Sequence, residues 1–202
     1  MRRALEPDQI LPLLRRLAGA AHPDSEDFAF AHRHLAELSV ETQPWVAALS
    51  ARKIAELYPD DDRAWAILGL AFTLLSHYRC AVTAYRRALS LAPSNPWYAH
   101  NLGHLLDVAL GRPQDGLPLL ALAHRQEPAE AEIASSYAHA LGRTGNVEKA
   151  RDLMRRYVKR GATADQKALL QWLEEGAPPK AAARRRRARR KSSVESTPRQ
   201  RP

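Results

Sequence analysis

Apolar residues in WAILGLAFTLLSHYRCAVTAYRRALSLAP, residues 65–93, recur every three or four positions, which is the spacing of one helical face. Small residues interrupt that face at Gly69, Ala81 and Ala88, and Pro93 closes the stretch. Two helices joined by a short turn are predicted. They can approach closely only where their crossing lacks bulk, so Gly69 is expected to meet Ala81, and Ala88 to admit the next helix. Pro93 cannot continue a helix and turns the chain into the following pair.

The same residue classes return at spacings of 34 or 35. The closing proline recurs as Pro59, Pro93 and Pro128, with Ala162 at the next station. A small position in the first helix reads Leu35, Gly69, Gly103 and Ala138, and one opening the second reads Ala47, Ala81, Gly116 and Ala150. The bulky station after it reads Ala51, Tyr85, Leu120 and Met154, and the next reads Ile54, Ala88, Ala123 and Tyr157. The single extra residue is assigned to the turn around Leu110 to Pro113. A repeat of this length means stacked units that cannot bury their apolar faces alone, so covers are expected at both ends. Ile10, Leu13, Leu14 and Leu17 supply an apolar stripe at the front, with Pro12 placed in that helix's first turn. HPDSED at 22–27 reads as a cap and turn. Leu169, Leu170, Trp172 and Leu173 supply the stripe at the other end. Pro118 is reconciled with its helix by taking Asp115 as the cap, which places the proline in the first turn.

The spacing of Trp65, Leu68, Gly69, Phe72, Ala81, Tyr85, Ala88 and Pro93 resembles the tetratricopeptide repeat family, and the resemblance covers residues 28–164. It implies an all-α, right-handed α-solenoid of helix-turn-helix repeats. The expected division is an end helix and turn at 1–27 and a divergent repeat at 28–61. Repeats at 62–95, 96–130 and 131–164 follow, then a solvating helix at 165–175 and a disordered Arg-rich tail at 176–202. The divergent unit has His34-Leu35 where Leu-Gly is usual.

The resemblance further implies an inner wall lined by the first helix of each unit. The divergent unit would contribute His32, Arg33, Ala36, Ser39 and Val40. The partner groove would be formed by Arg63, Ala66, Leu70, Leu74, Trp97, His100, Asn101, His104, His139 and Arg143. A clamp of Lys, Arg and Asn that grips a C-terminal carboxylate is one known use of such a wall. Here Asn101 keeps one clamp position, Ala66 and Leu70 replace two others, and Glu132 and Ser136 stand where cations are expected. An apolar patch of Ala66, Leu70 and Leu74 beside Trp97 instead suits a peptide or helix with apolar anchors. Trp97 reads either as an interface anchor or as a cover for the preceding repeat.

Chemistry beyond binding is not signalled. His100 and His104 lie one helical turn apart, with Asp107 nearby and His139 at the next repeat's station, but no second zinc signature accompanies them, so no metal is assigned. The expected consequence is mild pH sensitivity of binding. No phosphate-cradling glycine loop or nucleophile motif occurs, and Cys80 reads as a packing residue. The expectation is a non-catalytic interaction scaffold or adaptor without a cofactor.

Charge modifies this picture only at the C-terminus. The chain carries 31 Lys and Arg against 22 Asp and Glu, yet residues 1–175 hold 21 of each, so the net +9 belongs to the last 27 residues. Seven cations fall in the eight residues Arg184, Arg185, Arg186, Arg187, Ala188, Arg189, Arg190 and Lys191. Such a run can neutralise phosphates on a nucleic acid or an anionic surface. Alternatives to the scaffold are therefore a nucleic-acid-associated factor acting through this tail and a secretion-type chaperone. One cysteine, no secretory leader and no spanning stretch make the cytoplasm the expected location. The oligomeric state is left open.

Overall fold

The computed structural model describes residues 7–23, 25–159 and 161–177, and all regular structure among them is helical. The helices are α1 (Pro7–Ala20), α2 (Glu26–Ser39), α3 (Pro44–Leu57), α4 (Asp62–Leu74), α5 (Tyr78–Leu91), α6 (Pro96–His104), α7 (Pro113–Gln126), α8 (Ala131–Arg143), α9 (Val147–Val158) and α10 (Ala164–Glu174). A π-helical turn, Leu105–Ala109, continues α6. Residues up to Ile133 form one compact unit and those from Ala134 a second.

Turns of three residues join α4 to α5, the π turn to α7, and α8 to α9, and they share one geometry. The central residue is left-handed in each: Ser76 (φ 61°), Gly111 (φ 66°) and Gly145 (φ 87°). Each is closed by a long bond from the third turn residue back into the helix, five residues back in two of them and six after the π turn. His77 N–H donates to the Phe72 carbonyl, Arg112 to Leu106 and Asn146 to Leu141, all at 2.8 Å. These bonds satisfy carbonyls that a helix end leaves orphaned. The repeated prolines sit in the other class of connection. Asp61 and Asn95, two residues beyond Pro59 and Pro93, cap α4 and α6 by accepting from Ala64 N–H (2.9 Å) and Trp97 N–H (3.0 Å). The proline carbonyls are used as well: Pro59 accepts from the Trp65 indole and from Arg87, and Pro93 from Gln126.

In the first unit, alanine dominates where α2, α3, α4 and α5 meet, through Ala36, Ala47, Ala48, Ala51, Ala71 and Ala84 with Leu68. Tyr85, Leu102, Leu105 and Leu106 fill the next layer with Ala81. A Cβ on Gly69 would lie 2.7–2.9 Å from the Tyr85 ring, so the glycine makes room for that ring rather than for Ala81. Gly103 repeats the arrangement against Leu120, and Gly116 lies so close to the Gly103 carbonyl that a Cβ there would come to 2.5 Å. In the second unit Gly142 makes room for Trp172 and Leu173, and Leu173 is fully buried. Thr163 opens α10 with a capping box, its hydroxyl accepting from Gln166 N–H while Gln166 accepts from Thr163 N–H.

Five expectations are corrected. The extra residue of the third pair is absorbed by the π turn, where Leu110 N–H reaches the Leu105 carbonyl, and not by the connecting turn. Helix α7 starts at Pro113 rather than after Asp115, so Pro118 lies inside it; Pro12 is likewise inside α1, which starts at Pro7. At the front, Leu11 and Leu14 are buried with Ile10 and Ala18 beside them, while Leu13 points outward at 55% exposure. Leu35 joins that same cluster, so it faces α1 and does not serve as the crossing residue of its pair.

Candidate functional site

Within the first unit, one face of α4 and the start of α6 carries most of the predicted groove residues. Leu74 is 50% exposed and Trp97 39%, while Ala66 and Leu70 are half-buried. Leu70 is held by the core around Leu102, Leu105 and Leu106. Trp97 stands edge-on to His100 with ring centroids 5.6 Å apart, and His100 lies 5.8 Å from the exposed His104. Trp97 thus packs against His100 and still leaves part of its surface exposed. His100 is buried, and burial, then the neighbouring His104, holds its pKa below the ordinary histidine value. Its Nδ1 lies 3.2 Å from Asn101 Oδ1, so this amide is engaged inside the unit.

Arg63 is exposed and pairs with Glu37 of α2 at 2.8 Å. A parallel pair joins Arg33 of α2 to Asp61 at 3.0 Å, and the Arg33 guanidinium lies over the Tyr58 ring at 4.6 Å. Below these two ion pairs is a cleft of about 110 Å³ with an apolar floor of Ala36, Ala51, Ile54 and Ala64. A wider mouth beside it, about 450 Å³, includes Phe30, His34 and Tyr58. The sequence pattern did not single out Glu37, Asp61, Phe30 or Tyr58, because the cleft depends on how far α2 and α4 separate.

The divergent unit offers less than expected. His32, Ala36 and Ser39 are buried, and only Arg33 of that group is exposed. The His32 ring faces α3, with Nδ1 3.2 Å from the Ser50 hydroxyl and Nε2 3.4 Å from Lys53 Nζ. Burial and then the Lys53 charge lower its pKa to about 4.

In the second unit His139 stacks on Trp172, centroids 5.4 Å apart, and Arg143 is exposed. Ser136 is buried and Asp107, in the first unit, is 1% exposed within the π turn. Among the described residues no three His, Cys, Asp or Glu side chains gather in a metal-holding group, and no helix is long and apolar enough to cross a membrane. Cys80 is exposed, which corrects its assignment to packing. The predicted polyanion-binding residues Arg184 to Arg187, Arg189, Arg190 and Lys191 lie outside the described residues.

A sequence profile of the tetratricopeptide repeat matches residues 107–173, and helix pairs with the same small stations and turns continue on its N-terminal side. Residues 107–173 thus match the tetratricopeptide repeat. Solved structures share its solenoid fold. MamA is similar with a TM-score of 0.62 at 17% identity, over 85% of this chain and 88% of that one. YrrB, described as a tetratricopeptide protein with an unusual peptide-binding site, gives 0.65 at 19%, over 79% and 81%. A thermophilic tetratricopeptide protein of Thermus thermophilus, TTC0263, gives 0.63 at 16%, over 83% and 90%. No curated protein matches the sequence.

Proposed function

We propose that this protein is an interaction scaffold whose first unit holds a partner's peptide or helix along the faces of α4 and α6. The observation that carries this reading is the exposure of two large apolar side chains on consecutive first helices, Leu74 at the end of α4 and Trp97 at the start of α6, with Ala66 and Leu70 half-buried on α4. Apolar anchors of this kind dominate peptide interfaces when a polar rim surrounds them, and Arg63, Asn101 and His104 supply that rim. His139 and Arg143 of the second unit are proposed as further contacts on the same kind of helix. A peptide-binding site is also named for YrrB, which has a similar fold. Titrating a co-purified partner against Trp97→Ala and Leu74→Asp tests the reading. Each variant is expected to weaken binding about tenfold or more while helical content is unchanged. Unaltered affinity in both would refute it.

The segregation of the whole charge excess into residues 176–202 favours a second activity, retention of polyanions by the run from Arg184 to Lys191. Deleting residues 180–202 should then abolish salt-sensitive retention of nucleic acid. Retention that survives the deletion would count against it.

A further inference from the structure

Exposed side chains on two of the second helices follow a line. Trp45, Leu49 and Arg52 of α3 are spaced four and three residues apart, which puts them on one stripe of that helix. Arg79, Thr83 and Arg86 of α5 hold the same stations 34 residues on, and all six are exposed. The two stripes start side by side, because the Trp45 ring lies 5.7 Å from the ring of His77, the residue before α5. Trp45 at 57% and Leu49 at 58% are among the most open large apolar side chains of the described residues. Charge is sorted between the helices as well. On α3 and α5, Arg52, Lys53, Arg79, Arg86 and Arg87 stand against Glu56, whereas α2 and α4 carry Glu26, Asp27, Glu37 and Asp62 against Arg33 and Arg63. Arg87 is held by Asp60 and Arg52 by the exposed Glu56, but Arg79 and Arg86 have no carboxylate partner among the described residues.

We propose that this face of α3 and α5 lies on an anionic phospholipid surface. Trp45 and Leu49 enter the boundary between headgroups and acyl chains, and Arg52, Arg79 and Arg86 meet phosphates. The fold itself gains nothing from the arrangement. Arg79 is the second residue of α5, where the helix dipole disfavours a cation, and Trp45 and Leu49 leave apolar area in water. A lipid boundary satisfies both at once, since tryptophan is favoured at the headgroup level and an anionic leaflet attracts each arginine. A nucleic acid would engage the arginines and leave Leu49 idle, because its backbone offers only phosphate and sugar. An acidic protein would have to bring a pocket shaped for two protruding side chains, which a lipid boundary does not require. The chain also carries the cationic run from Arg184 to Lys191. One weak signal holds a protein to a membrane only marginally, and an apolar insertion beside a polybasic run makes the two that stable anchoring takes. The inference stands apart from the docking reading, which uses α4 and α6.

The test is co-sedimentation of the full chain with vesicles of phosphatidylcholine and phosphatidylglycerol, beside vesicles of phosphatidylcholine alone. The parent is expected to bind the anionic vesicles and not the neutral ones. Arg79→Gln and Arg86→Gln should each lower the affinity about fivefold, an effect that added salt removes. Leu49→Ser should lower it about tenfold with little dependence on salt. Lipids brominated along the acyl chain should quench the parent's tryptophan fluorescence more than that of Trp45→Phe, which still binds. All four substituted side chains are exposed, so helical content should not change. Leu74→Asp and Trp97→Ala should bind vesicles like the parent, which separates this face from the docking face. A parent that ignores anionic vesicles, vesicle binding that survives the Arg79, Arg86 and Leu49 substitutions, or equal quenching in parent and Trp45→Phe would overturn the inference. Loss of DNA retention in the two arginine variants with vesicle binding intact would overturn it in favour of a nucleic acid.

Discussion

Gly69 and Gly116 are both small to let helices approach, but what stands opposite each differs. A methyl group at Gly69 meets the Tyr85 ring, a side chain that can shift; at Gly116 it meets the Gly103 carbonyl, which is backbone. Gly69→Ala is expected to cost about 1–3 kcal/mol and Gly116→Ala more, read as denaturant midpoints. Combining Gly69→Ala with Tyr85→Leu should cost less than the sum of the two, because the ring is the obstacle. Ser76 is left-handed where Gly111 and Gly145 occupy the matching turns, so Ser76→Gly is expected to stabilise by about 1 kcal/mol. His32 gives a signed pH dependence. Its folded pKa of about 4 lies below the ordinary 6.5, so its contribution is complete above pH 6.5 and is lost as pH falls toward 4. The loss is at most about 3 kcal/mol, and His32→Gln should flatten it in thermal melts across that window. At this scale the sequence pattern located the small stations but not their partners. Gly69 was readable as a contact point, yet whether Ala81 or Tyr85 meets it depends on helix rotation, which spacing does not determine.

Helices α1 and α7 each carry a proline at the sixth position, Pro12 and Pro118, where an N–H would otherwise bond four residues back. Both prolines are exposed, so replacing them removes no packing. Pro118→Ala and Pro12→Ala should each raise stability by about 1–3 kcal/mol, measured by thermal or chemical unfolding. The helices themselves were legible because the apolar period and the recurring prolines agree, and Asp61 and Asn95, which cap α4 and α6, stand two residues beyond Pro59 and Pro93. The π turn at Leu105–Ala109 was not. One inserted residue looks the same in sequence whether a loop lengthens or a helix widens, and the bonds of Leu110 and Arg112 decide for the helix.

For the whole molecule, the all-α solenoid class was legible because residues recurring every 34 or 35 positions resemble the tetratricopeptide repeat, whose units must stack to bury their faces. The candidate site was only partly legible. Leu74 and Trp97 were visible because family position and residue type coincide, and both are exposed. The cleft between Arg33 and Arg63 was not, because it depends on how far α2 and α4 separate. Calorimetric titration of a co-purified partner into Leu74→Asp, beside the parent protein, tests the central claim most directly. Leu74 is exposed at the end of α4, so the fold should persist while affinity drops about tenfold or more. A well-folded Leu74→Asp protein that binds as tightly as the parent would contradict the account.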